Sequence, residues 1–200
     1  MNYLLSGLIV SLIVITSCQK EDIPPQYETF TDSRDGEIYK YVKIGNQSWM
    51  SENLRYKPDS GNYWAYNNIE TDVSTYGYLY AWQTANNVCP DGWHLPSDAE
   101  WTELADNLGG SAVAGGKMKV PDPSYWNSPN KDATNSSGFS ALACGTYDSF
   151  GEFSGRGNLT HFWSSEVDLN IWWLSTVFGS LGHSIIHMPH TSASVRCVKD

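Results

Sequence analysis

The side chains best suited to chemistry crowd into one stretch. Trp163, Glu166, Asp168, Asn170, Trp172 and Trp173 bring aromatic faces, two carboxylates and a carboxamide close together. Aromatic faces stack on sugar rings, while carboxylates and amides hydrogen-bond hydroxyls, so the set has the chemistry of a carbohydrate site. The competing reading makes the rings core and the acids solvated loop residues. Trp172 and Trp173 are adjacent, so in a strand they face opposite sides, one for the core and one available to a ligand. His183, His187 and His190 form the histidine cluster. On a strand over 182–188, His183 and His187 would share a face, and neutral imidazoles so placed can bind zinc. No acid or cysteine lies inside that cluster and Pro189 interrupts it, so surface histidines are expected and no metal is assigned. There is no Ser-His-Asp set at a nucleophile elbow and no Gly-rich phosphate loop. The chain is therefore expected to be non-catalytic and to carry no cofactor.

Four cysteines offer a different chemistry: Cys18, Cys89, Cys144 and Cys197. The run from Leu4 to Ser17 is apolar and uncharged, and it ends in Ile15-Thr16-Ser17-Cys18. About 20 apolar residues are needed to span a bilayer, so this run is too short and has instead the length of a signal-peptide core. The small residues before Cys18 resemble a bacterial lipobox, which implies an acylated Cys18 as the mature N-terminus and a lipid anchor in a membrane. Lys20-Glu21-Asp22 resembles the export signal of surface lipoproteins in some Gram-negative outer membranes, which implies a surface-exposed protein. Several acyl chains on one cysteine give firm attachment where one alone is marginal. The other three cysteines then sit in an oxidising compartment, where bridges persist, and their odd number leaves at least one unpaired. Cys144, in an apolar setting, reads as a small buried residue. A bridge between Cys89 and Cys197 is expected.

These residues need elements to position them. Ile38 to Ile44 alternates and Gly45-Asn46 turns it into Gln47–Met50, a hairpin with Ile44 and Trp49 inward. Ser97-Asp98-Ala99-Glu100 is a capping box, so Glu100 reads as structural. Trp101, Leu104, Ala105 and Leu108 follow at helical spacing until Gly109-Gly110 stops the run. A shorter helix is expected over 78–86. Gly109-Gly110 and Gly115-Gly116 read as turns within a Gly-, Ser-, Asn- and Pro-rich stretch up to Ser137. Short strands are expected over 139–142, 161–165, 171–177 and 194–198. With nine tryptophans and twelve tyrosines, each ring is a core residue by default.

The motif Val88-Cys89-Pro90-Asp91-Gly92-Trp93-His94-Leu95-Pro96-Ser97-Asp98-Ala99-Glu100-Trp101 resembles the signature of the FISUMP (Fibrobacter succinogenes major paralogous) domain. The resemblance continues through Val42 to Leu54, Asn135 to Leu142, Phe162 to Ser165 and Ser194 to Val198, covering roughly 29–200. It implies no established activity. Leu95 to Trp101 is more distantly similar to the formylglycine-generating-enzyme family, a variant of the C-type-lectin fold. That enzyme's closely spaced cysteine pair is absent near Cys197, so the resemblance does not carry its oxidase activity here. A cysteine before a helix paired with one near the C-terminus also resembles the long-range bridge of C-type-lectin-like domains. The implied fold is α+β and C-type-lectin-like: a twisted, mostly antiparallel sheet, two helices and long loops. The sugar-binding triplets of calcium-dependent lectins are absent; Ser128-Pro129-Asn130 and Trp126-Asn127-Ser128 are near misses.

The expected organisation is a lipoprotein signal peptide over 1–17, a lipidated tether over 18–28 and one domain over 29–200. A net charge of −10 argues against nucleic acid, which demands a basic face. The expected role is a surface-anchored binding or adhesion domain with a glycan or protein ligand. The alternative is an enzyme or metal-dependent domain acting on cell-surface polymers.

Overall fold

A computed structural model describes residues 24–168, 170–185 and 191–200. Cys18 with its apolar leader, and His187 and His190, fall outside them. No helix among the described residues is long and apolar enough to cross a membrane.

The fold is α+β, with antiparallel pairing throughout its sheets. The hairpin forms as expected: β2 (Ile38–Ile44) and β3 (Gln47–Met50) pair around Gly45, whose φ of 62° suits a residue without a Cβ. Together with β1 (Tyr27–Thr31), β13 (Val198–Lys199) and β6 (Trp93–His94), they make a five-stranded sheet in the order β1-β2-β3-β13-β6. This sheet is covered on both faces. Val42, Ile44 and Trp49 join one core cluster, and Tyr39, Tyr41 and Met50 join the other. Simple in–out alternation therefore fails along β2, where the neighbours Tyr41 and Val42 are both buried, one in each cluster.

A second five-stranded sheet runs β4 (Tyr63–Trp64), β5 (Leu79–Ala81), β12 (Ser192–Ala193), β7 (Thr146–Tyr147) and β8 (Phe153–Ser154). A third, of three strands, has β10 (Asn170–Ser175) between β9 (Leu159–Trp163) and β11 (Gly182–Ile185). The strand expected over 194–198 does not form as one. Ser194 makes a single bridge to Phe162, only Val198 joins a strand, and 194–197 cross from β12 in the second sheet to β13 in the first. The Cys89–Cys197 disulfide pins that crossing to the turn before β6, across a sequence separation of 108. In chain-entropy terms a loop of that length is stabilised by about 4–5 kcal/mol. Cys144 is free and buried.

A one-turn helix, α1 (Val73–Tyr76), precedes β5, and the capped helix is α3 (Asp98–Asn107). The Ser97 hydroxyl accepts from the Glu100 amide and the Glu100 carboxylate accepts from the Ser97 amide. Its Trp101 ring lies parallel to Trp172 and tilts against Trp49. Three expectations need correction. The stretch 78–86 is a strand followed by one turn of helix, β5 then α2 (Trp82–Ala85), because Tyr80 is held in the sheet opposite Tyr63 and Ala193. Gly115-Gly116 is not a turn but the middle of α4 (Ser111–Met118), where lost side chains let backbone pack against Ser180 and Asp132. The stretch 139–142 forms a single bridge at Ala141 rather than a strand, since the Phe139 and Ser140 carbonyls turn to the Arg196 guanidinium.

Candidate functional site

The predicted aromatic stretch straddles β9 and β10, and most of it is structural. Trp163 is buried and its indole N–H donates to the Tyr80 carbonyl at 2.7 Å. Trp172 is 5% exposed; its N–H donates to Asp98 Oδ1 at 2.8 Å, and the Asn170 amide donates to the other Asp98 oxygen. His183 is exposed, lies over Trp172 and has Nε2 3.3 Å from Asp98 Oδ2. The first turn of α3 is thereby tied to β10 and β11 through one carboxylate. Glu166 and Asp168 are exposed on the turn between β9 and β10. Trp173 is half-buried on the opposite face from Trp172, with its N–H donated to Ser184 and its ring edge-on to Phe178. The stretch therefore yields two core rings, a tie and one partly available ring.

An open cleft of about 650 Å³ lies elsewhere, on the second sheet, and none of those six residues lines it. Its size falls in the range of roughly 300–1,000 Å³ typical of ligand pockets. One wall is β4 and α2, with Asn62, Trp64, Gln83 and Thr84; the other is the β7–β8 hairpin, with Tyr147, Asp148 and Phe150. Trp64 and Tyr147 stack, centroids 4.4 Å apart and planes 27° from parallel, and Tyr147 packs in turn on Phe153. Gly61, at φ 99°, lets the chain pass directly against Thr84, whose hydroxyl accepts from the Asn62 amide at 2.9 Å. At the hairpin tip the Asp148 carboxylate accepts from the amides of Phe150 and Glu152 at 2.9 and 3.0 Å. That bracing holds Phe150 out at 81% exposure. A large ring fixed in water by its own turn is preorganised for contact.

The cleft offers aromatic faces, carboxamides, a hydroxyl and a carboxylate, and no Lys, Arg or His lines it. It suits a neutral, hydroxyl-rich ligand and disfavours an anionic one. The sequence reading missed it because Trp64 and Tyr147 are short-strand aromatics, core by default. The available signal was Asp148-Ser149-Phe150-Gly151, a turn sequence carrying a large apolar ring.

Titratable groups elsewhere act as ties. His94 lies between two carboxylates, Nε2 2.7 Å from Glu100 Oε1 and Nδ1 2.6 Å from Asp200 Oδ1. Burial opposes its charge, but the hydrogen bonds to Asp200 and Glu100 win and raise its pKa. Burial likewise works against the Glu100 carboxylate, yet the Ser97 amide and His94 hold its pKa below the usual value. Burial pushes the Cys144 thiol up, which keeps it protonated and unreactive. Among the described residues no group of three or more His, Cys, Asp or Glu side chains is placed to hold a metal ion.

Comparison with known proteins places these features in a family context. The family model described as the Fibrobacter succinogenes major domain matches residues 42–199, from the middle of β2 to the last strand. No curated protein and no solved structure matches the chain.

Proposed function

The chain belongs to the Fibrobacter succinogenes major domain family, and from that premise we propose that it is a non-catalytic binding module, lipid-anchored at Cys18 on the outer surface of a bacterial outer membrane. Its ligand site is the cleft between β4–α2 and the β7–β8 hairpin, and its ligand class is an uncharged glycan. The observation that carries this reading is the Trp64–Tyr147 stack beside a braced, exposed Phe150, ringed by Asn62, Gln83, Thr84 and Asp148. Sugar C–H faces pack on such rings while hydroxyls take amide and carboxylate partners. A protein segment is the second occupant this chemistry admits, since exposed aromatics also anchor protein interfaces. Our reading of the fold is a C-type-lectin-like variant, supported by the long-range disulfide from the turn before β6 to the segment just ahead of β13 and by the antiparallel sheets.

The test is a glycan array probed with the wild type and with Trp64→Ala. Uncharged oligosaccharides should bind the wild type and lose most of their signal with the variant. Silence across the array, with a protein captured from the cell surface in a Trp64-dependent way, would move the ligand to the protein class. For the anchor, Cys18→Ala should release the protein from the membrane fraction. Unchanged mass and retention would sink the lipoprotein reading.

A further inference from the structure

A smaller pocket, of about 240 Å³, opens over the Arg196 guanidinium between Ser51, Glu52, Tyr125, Ser140 and Leu142. Arg196 is 1% exposed, yet none of the ion pairs among the described residues includes it. A buried cation is costly unless it is paired and hydrogen-bonded. The hydrogen-bond partners of Arg196 among the described residues are all neutral: Nε donates to Asn53 Oδ1, Nη1 to the carbonyls of Met50 and Phe139, and Nη2 to the carbonyl of Ser140. A guanidinium carries five N–H groups. These four bonds leave one, on Nη2.

Two further observations point at the same pocket. Ser51 is 3% exposed on its wall, and its hydroxyl has no hydrogen-bond partner among the described residues. Ser140 sits at φ 55°, a left-handed conformation uncommon for a residue with a side chain. The Ser140 carbonyl meets Nη2, and its side chain is held by Asn135 and Tyr27. Backbone held in this region by its surroundings is characteristic of ligand clamps.

We propose that this pocket is a binding site for a single carboxylate group, held by the remaining Nη2–H of Arg196 and the Ser51 hydroxyl. Two donors match the two oxygens of one carboxylate, and the charge-assisted bond to Arg is the stronger kind. The pocket is smaller than the roughly 300–1,000 Å³ of drug-sized sites, so it takes a carboxylate on a short stem, which Leu142 and the Tyr125 ring cover. Glu52 on the rim repels a second negative charge, which disfavours phosphate. The carboxylate belongs either to a short free acid or to an acidic sugar. The site shares no lining residue with the cleft on the second sheet, so the two readings stand or fall separately.

The experiment is an NMR titration of the purified protein with sodium acetate, glucuronate, acetamide and sodium phosphate, each against sodium chloride at equal ionic strength. Acetate should saturably shift the Arg196 Nε–H and the Ser51 and Ser140 amides, with acetamide at least about tenfold weaker, as loss of a charge-assisted bond implies. Tighter binding of glucuronate than of acetate would identify the source as an acidic sugar, and the reverse order a short free acid. Ser51→Ala removes a hydroxyl with no partner, so the thermal midpoint should hold while acetate affinity falls by at least about fivefold. Trp64→Ala should leave acetate binding intact. No shift beyond that of chloride, equal binding of phosphate, or wild-type affinity in Ser51→Ala would overturn the proposal.

Discussion

Lys119 is fully buried and donates to three carbonyls, those of Lys131, Ser175 and Phe178, at 2.8–2.9 Å. Burial pulls its pKa down to about 8, so at neutral pH it still carries the proton needed for three bonds. Lys119→Met fills the space with a similar stem but leaves three carbonyls without donors. It should cost at least about 3 kcal/mol in urea denaturation, since each of the three carbonyls left unpaired costs about 1–3; a change below about 1 kcal/mol would show that the carbonyls find other partners. His94 gives a pH dependence of known sign. Its folded pKa is raised, so its contribution is fully present below the unfolded value near 6.5 and fades as pH rises through the folded value. The thermal midpoint should therefore decline over that window in the wild type, and the decline should vanish in His94→Gln. The effect is small, under about 1 kcal/mol, because the pair is partly solvated. The burial of Lys119 and Arg196 was not legible in the sequence. Each is flanked by apolar residues, Met118 and Val120 or Val195 and Cys197, and only the folded loops reveal the carbonyls that receive them.

At the scale of elements, legibility followed local chemistry. The α3 capping box needs only residues 97–100, and the β2–β3 hairpin needs only its β-branched and aromatic residues and the Gly45-Asn46 turn, so both could be read directly. α4 could not, because Gly115 and Gly116 argue against a helix on propensity alone. They are required by packing. A Cβ on Gly115 would run into the Ser180 carbonyl and Leu174, and one on Gly116 would run into Asp132. This reverses the usual sign of a substitution. In an open helix Gly→Ala gains roughly 1 kcal/mol, whereas Gly115→Ala should lose at least about 1 kcal/mol through overpacking. Chemical denaturation decides it, and a stabilised variant would mean that α4 can move off the β10–β11 loop. The same logic explains Trp163 and Trp172. Their spacing suggested a sugar platform, but strand pairing placed one indole N–H on the Tyr80 carbonyl and the other on Asp98.

At the scale of the molecule, the last ten residues join the parts. They pair with β5 and β7 at one end and with β3 and β6 at the other, and they hold Arg196 and Cys197 between. Long-range pairings of this kind leave little trace in sequence, although the cysteine count and the positions of Cys89 and Cys197 did anticipate the bridge. The frame they create leaves β4 and the β7–β8 hairpin at opposite ends of the second sheet, and both line the cleft. We propose this cleft as the ligand site. Its most direct test is calorimetric titration of an uncharged oligosaccharide into the wild type and into Phe150→Ala, with thermal midpoints measured in parallel. Phe150 is exposed, so the variant should melt like the wild type while losing about 1–3 kcal/mol of binding, the scale of a truncated aromatic contact. Equal affinities at equal stability would contradict the account.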